Sequence, residues 1–386
     1  MDYWKGDMPP HTAAKHRILK HYLRQWFPIL GRYDKHLAYV DGFAGQGVYP
    51  GGEPGSPIIA LCAANEHADR MEFDVEFWFV EKSKKTAAVL ESQIAEISDS
   101  LSPRLHHRVV RSKFDVQLPL IVNTLKSKGP MPPTFAFVDP FGYSFKMSTL
   151  LSFLKNKKCE ALVTFMSSWA HRFVKRDSPR HAKTLDDLFN GHSWKSIDST
   201  GRKRMRDLAD LFARQLESRD NKFVKMFDMY DENYSPEYSL IFTTNHEKGL
   251  NAMSYSMKKV GFDDGCHFFD ANALDQSSMR QYFDEDEQHK YPAEIIFKNF
   301  QGTTAGVENI ETFFNHKTRH VFDKRLLKHL SRESPPKILK VVTRDGKVAK
   351  KSTYPDGCKI TFASKSDLEL GAPQGARQPG SLDRWF

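Results

Sequence analysis

Apolar positions along the first two thirds of the chain alternate between helical spacing and short unbroken runs. Residues 12–27 place Ile18, Leu19, Tyr22, Leu23 and Trp26 on one helical face behind Thr12 as a candidate N-cap, and Pro28 is expected to kink or end that helix. Strand-length apolar runs follow at 37–41, 73–80, 107–111, 134–138 and 160–166. Helical stretches separate the first four at 58–68, with Ser56 as cap and Pro57 in the first turn, and at 82–97 and 117–128. Strands alternating with helices predict an α/β fold built on a doubly wound parallel sheet. Residues 171–230 read as a helical insertion containing Trp194, and 238–243 and 266–269 as the last two strands around a helix over 249–260.

Beyond that sheet the pattern changes. Residues 271–306 read as a polar connection that includes Asp284-Glu-Asp-Glu287. Two helices over 307–330 and a hairpin over 338–362, turning at Asp345-Gly346, suggest a small winged-helix-like unit. From Ala363 the chain is rich in Gly, Pro and Ser and is expected to be disordered. The expected organisation is therefore 1–270, 271–306, 307–362 and a tail over 363–386.

Charge sharpens the picture. Of the net +9, residues 315–360 carry a local +9 and residues 171–206 a local +6, which leaves the remainder acidic. Basic blocks on an acidic body are the footprint of a polyanion, nucleic acid before membrane, with two solvated helical faces as the plainer alternative. Candidate phosphate contacts are Arg172, Lys175, Arg176 and Arg180, with Trp169 near a base, and Lys324, Arg325, Lys328, Lys347 and Lys350 on the C-terminal unit. No run of about eighteen apolar residues occurs and no signal-peptide core opens the chain, so a cytoplasmic protein with no membrane partner is expected. The cysteines at 62, 159, 266 and 358 form no CxxC pair and the histidines show no ligand spacing, so no metal site is expected.

Candidate chemistry gathers where the strands end. The run 37–41 closes on Asp41 and breaks into Gly42-Phe43-Ala44-Gly45-Gln46-Gly47, glycines that let backbone N–H groups approach a ligand or simply make a β–α turn. An acid directly before the glycines resembles motif I of class I S-adenosyl-L-methionine (SAM)-dependent methyltransferases, which implies a Rossmann-like sheet, SAM as cofactor, and Asp41, Gly42, Phe43, Gly45 and Gly47 around it. Glu81, at the tip of the second strand, is placed to accept hydrogen bonds from both ribose hydroxyls of an adenosine. Asp115, after the third strand, matches the methyltransferase acid that touches the adenine amino group. His11 and Lys15, near the start of the first helix, are expected at the surface, or else within reach of the cofactor carboxylate or the substrate.

The fourth strand ends in Asp139-Pro140-Phe141-Gly142-Tyr143. This resembles motif IV of methyltransferases that modify exocyclic amines, in which D/N-P-P-Y/F is usual, and it is closer to the Asp-Pro-Phe-Gly of tRNA guanine-N2 dimethyltransferases. A conjugated amine is a poor nucleophile, so an acceptor must hold its hydrogens while an aromatic face stacks the extruded base. Asp139 and the Pro140 carbonyl would be the acceptors and Phe141 or Tyr143 the stacking surface, with adenine N6 and guanine N2 both open. Taken alone, Asp139 reads equally as a helix cap with Pro at the next position.

His11-Thr-x-x-Lys15-x-x-Ile18-Leu19-x-x-Tyr22-Leu23-x-x-Trp26, Tyr39-Val-Asp-Gly-Phe-Ala-Gly45, Gly55-Ser-Pro57 and Asp139-Pro-Phe-Gly142 together resemble the three-Cys-motif partner (TcmP) proteins, up to about residue 360. That resemblance implies a partner protein bearing a three-cysteine, radical-SAM-like motif. The expected function is SAM-dependent methylation of DNA or RNA; the alternative is a non-catalytic nucleic-acid-binding protein on a methyltransferase scaffold.

Overall fold

The computed structural model describes residues 8–140, 142, 145–175, 178–217, 223–230, 236–261, 267–269, 285–350 and 352–371. The chain divides into two compact units, Met1–Asp275 and Gln276–Phe386.

The first unit opens with helix α1, Pro10–Leu30, and strand β1, His36–Asp41. Helices α2, Ser56–Asn65, and α3, Ala68–Met71, lead to β2, Asp74–Glu81. Then come α4, Lys84–Ile97; β3, Leu105–Arg111; α5, Phe114–Ser127; β4, Thr134–Val138; α6, Met147–Leu154; and β5, Cys159–Phe165. Three helices follow, α7 at Ser167–Val174, α8 at Pro179–Leu188 and α9 at Gly201–Leu216. The sheet resumes with β6, Phe223–Tyr230, and β7, Pro236–Thr244, then α10, Glu247–Lys258, and β8, His267–Phe269.

The eight strands lie in the order β3-β2-β1-β4-β5-β7-β6-β8. The first five are parallel, β7 runs antiparallel to both neighbours, and β8 pairs parallel with β6. The central strands are apolar on both faces because both are covered. On β1, Leu37 and Tyr39 pack with α1, α2 and α10, while Ala38 and Val40 pack with α5 and α6. Strand order reverses between β1 and β4, and the crevice beyond their carboxyl ends is where such a sheet offers a binding site.

Several expectations are corrected. Helix α1 starts before Thr12 and runs through Pro28. Three residues from the helix end the proline forfeits little bonding, and buried Trp26 and Phe27 hold that turn on the sheet. Ser56 is the first helical residue behind Gly55 rather than the cap. The insertion is helical only to Leu216; residues 223–230 form β6, whose charged Lys225 and Asp228 obscure its strand pattern. Asp228 Oδ1 accepts from the Ser239 hydroxyl across the β6–β7 ladder at 2.6 Å.

The second unit contains α11, Glu285–Phe300; β9, Thr304–Gly306; α12, Val307–Lys317; α13, Lys324–Arg332; β10, Ile338–Val342; β11, Lys359–Phe362; and α14, Lys365–Gly371. Its antiparallel sheet has the order β10-β11-β9. The expected polar connection is thus structured, since Ala293, Ile296 and Phe297 at helical spacing enter the core of this unit. The Asp345-Gly346 turn forms, with Gly346 at φ +84° and Val342 bridging Val348, but β10 takes its main partner from β11. Disorder does not begin at Ala363: Ser364 and Asp367 bond each other at the start of α14. Residues 372–386 lie outside the described residues. Among the described residues, no helix is long and apolar enough to cross a membrane.

Candidate active site

Three carboxylates stand at one rim of the sheet for a reason of register. Asp41 pairs with Phe79 on β2 and with Phe137 on β4, so Glu81 and Asp139 each lie two residues beyond its level on parallel neighbours. An interval of two keeps a side chain on one face. Phe79 and Phe137 both pack on the α1 face, which places all three acids on that side.

Asp41 is fully buried. Its Oδ1 accepts from the Phe43 amide at 3.2 Å, and its Oδ2 has no hydrogen-bond partner among the described residues. Burial pushes its carboxyl up from the ordinary 3.8 to about 7; the Ser56 hydroxyl and Phe43 amide oppose this, and the charges of Asp139 and Glu81 add to it. The following loop is knitted to its neighbours by Gly42 N–H donating to Phe137 O at 2.8 Å and Ala44 N–H to Val80 O at 3.0 Å. A Cβ on Gly42 would stand 2.6 Å from the Phe114 ring, so the bareness of that position is accounted for within the protein. Phe43 stacks on the same ring, and Gly45 and Gly47 take positive φ. Gly45 N–H donates to Glu81 Oε2 at 3.1 Å and Ser83 N–H to Glu81 Oε1 at 2.7 Å, which orients that carboxylate at the end of β2.

Asp115 sits in the first turn of α5, where its Oδ1 accepts from the Lys146 amide at 2.9 Å and ties that helix to the segment before α6. Asp139 follows β4, and its Oδ2 meets Lys15 Nζ at 2.5 Å. The two side chains are only 8% and 20% exposed, so the expected surface placement of Lys15 is corrected. Lys15 Nζ also lies 5.4 Å from the Tyr238 ring centre. His11 Nδ1 approaches Glu237 at 3.5 Å. Pro140 is buried, while Phe141 and Tyr143 lie outside the described residues. Gly142 has φ +78°, and a Cβ there would stand 2.7 Å from the Trp169 ring, so Trp169 on α7 packs against the loop that carries Asp139.

His16, beside Lys15, went unnoticed in the sequence. It is buried, its Nδ1 has no partner among the described residues, and its ring lies 5.9 Å from that of Tyr49. Burial, helped by the Lys15 charge, pushes its pKa down to about 3, so it is a neutral imidazole. A signal was there to read: Lys15 is three and four residues before Ile18 and Leu19, on the apolar stripe itself. Tyr39 Oη is a further buried atom with no partner at hydrogen-bond distance; burial and then the charges of Asp41 and Asp139 push its phenol well up.

The basic candidates are spread over both units. Arg172 lies over the Trp169 ring at 5.2 Å and Lys175 follows α7, while Arg176 is outside the described residues. In the second unit Lys324 pairs with Asp356 at 2.7 Å, Arg325 with Asp323 at 3.2 Å and Lys347 with Asp345 at 3.1 Å. Lys328 and Lys350 have no ion-pair partner among the described residues. Among those residues, no group of three or more His, Cys, Asp or Glu side chains could hold a metal ion.

No protein-family model and no curated protein matches the chain. Among solved structures it is similar to protein LPL1258 from Legionella pneumophila strain Philadelphia 1, with 13% identity, a TM-score of 0.33, and coverage of 60% of this chain and 85% of that one. It is similar to the small RNA methyltransferase HEN1 at 10% identity and a TM-score of 0.32, over 59% of this chain and 26% of that one. A third is a DUF574 family protein from Streptomyces avermitilis, at 10% identity and a TM-score of 0.30, over 59% and 83%. Likeness at this level carries no inference about substrate or chemistry.

Proposed function

We propose that this chain is a SAM-dependent methyltransferase acting on nucleic acid at an exocyclic purine amine, adenine N6 or guanine N2. The observation that carries the reading is the convergence of Asp41, Glu81 and Asp139 on one rim, flanking the β1/β4 crevice. The donor set fits the cofactor. Glu81, fixed by two backbone amides, keeps lone pairs for ribose hydroxyls, and Asp41 offers an unengaged buried oxygen. When bound, SAM would supply an electrophilic methyl group. Asp139 then acts as an acceptor: Lys15 fixes Oδ2, and Oδ1 holds the hydrogen of the amine so that its lone pair leaves conjugation with the ring. Orientation supplies most of the rate. The basic residues of both units support a polyanionic substrate, and the TcmP resemblance supports a three-Cys-motif, radical-SAM-like partner.

The test is calorimetry with S-adenosylhomocysteine together with transfer of a labelled methyl group to bulk DNA and RNA. Binding that is lost in Asp41→Ala, with label on one polymer, is the expected result; absence of binding sinks the proposal. One observation favours a second reading, a non-catalytic nucleic-acid-binding protein on the same scaffold: the short Lys15–Asp139 pair is what a purely structural acid would make. Salt-dependent nucleic-acid binding without label on any substrate would select it.

A pH dependence follows. Asp41 holds a proton more tightly folded than unfolded, so its contribution to stability falls as pH rises from about 4 to about 7. A cationic ligand prefers the carboxylate, so S-adenosylhomocysteine affinity should rise with pH through about 7 and level off above it. The groups facing Asp41 are Tyr39, Ser56, the Phe43 amide, Glu81 and Asp139, with Lys15, His16 and Tyr49 around Asp139. Calorimetry from pH 6 to 8 checks it; a profile as steep in Asp41→Asn as in the native chain assigns the titration elsewhere.

A further inference from the structure

We infer that His16 of α1, with Tyr39 and Asp41 of β1, forms a recognition site for a primary ammonium group, which sets the preference of this chain for a ligand with an intact amino-acid end. The inference rests on the cofactor reading above and extends it to a helix outside the glycine motif.

Buried side-chain polar atoms in folded proteins are almost always hydrogen-bonded, and each exception calls for a cause. Here three exceptions coincide at one place. His16 Nδ1, Tyr39 Oη and Asp41 Oδ2 all lack partners among the described residues, and all three residues are buried. Tyr39 and Asp41 share a strand face, and that face is the one α1 covers. The charge of Asp139 acts on all three residues, and Tyr49, whose ring neighbours His16, feels both Asp139 and Asp41.

The chemistry of the missing group follows from the sum. A carboxylate oxygen accepts, a neutral imidazole nitrogen can accept, and a phenol can accept or turn away. Asp41, Glu81 and Asp139 share the rim with the single close cation Lys15, which Asp139 already engages. A group that donates two or three hydrogen bonds and carries positive charge satisfies the atoms and the charge together. A primary ammonium does so; a hydroxyl or an apolar methylthio end leaves the carboxylate uncompensated.

The test compares two adenosine ligands by calorimetry at pH 7.5: S-adenosylhomocysteine, which has the amino-acid end, and 5′-methylthioadenosine, which lacks it. The native chain should prefer the former, and His16→Phe, which keeps a ring and removes the nitrogens, should cut that preference about tenfold without changing methylthioadenosine affinity, as expected for one lost charge-assisted bond. Tyr39→Phe, which removes only the hydroxyl, should reduce it in the same direction and provides the answer if His16→Phe fails to fold. A preference unchanged in the folded variants overturns the inference and leaves the cofactor reading standing. If neither ligand binds the native chain, the cofactor reading itself falls, and this inference with it.

Discussion

Replacing Asp139 with alanine is expected to lower methyl transfer by about 100-fold or more while leaving S-adenosylhomocysteine affinity within about twofold. The side chain follows β4, two residues past the level of Asp41, and its role is toward the acceptor amine rather than the cofactor. The alanine variant carries a confounding effect, because Lys15, 8% exposed, would lose its partner and destabilise the fold. Pairing Asp139→Ala with Lys15→Met separates the two effects. The double variant should regain most of the melting temperature and none of the transfer. Asp139→Asn should retain more activity than alanine, because an amide oxygen still accepts from an amine. Transfer that survives in the folded double variant would remove Asp139 from the chemistry and leave the non-catalytic reading in place.

The largest effect on stability is expected at Glu160. Its Oε2 accepts from Tyr22 Oη at 2.7 Å and from Trp26 Nε1 at 2.8 Å, and its Oε1 accepts from the Thr244 hydroxyl. One partly buried carboxylate thus joins α1, β5 and β7, and a Cβ on Gly249 of α10 would stand 2.7 Å from it. Glu160→Ala strips three donors of their acceptor and should cost about 3 kcal/mol, a fall of roughly 6 to 12 °C in melting temperature. Glu160→Gln should cost far less: its carbonyl oxygen serves Tyr22 and Trp26, and its amide can donate to Thr244. Burial raises the Glu160 carboxyl against those three hydrogen bonds. A raised folded value means that this group favours folding less as pH climbs above the ordinary carboxylate range, so the gap between native and Gln melting temperatures should narrow with rising pH. Thermal denaturation of the three forms from pH 4 to 8 checks both statements; an alanine variant as stable as the native chain would show that the network does not hold α1 to the sheet.

The strands that build the site were legible because they are uniformly apolar. Leu37, Tyr39, Phe135 and Phe137 leave no alternative to a doubly covered sheet, and an acid closing each run marks its exposed end. Strand β6 was illegible for the opposite reason. Lys225 and Asp228 interrupt its apolar pattern, and it becomes a strand by pairing along its length with β7. The same holds for α11, whose acidic start concealed Ala293, Ile296 and Phe297. Lys15 and His16 were misjudged or missed because charge and polarity read as surface until a partner is supplied, and their surroundings come from β1, the loop at Tyr49 and the end of β4.

Local composition by itself determined which segments are strands and helices in the core of the first unit, where turns must occur, and that acids stand at strand ends, because each follows from the chemistry of neighbouring residues. Only the tertiary structure decided that Asp41, Glu81 and Asp139 share one face, that Lys15 reaches Asp139 across 124 positions of sequence, and that three buried polar atoms lack partners. Register between parallel strands and the seat of α1 on the sheet are set by packing between distant segments, and no local pattern encodes that.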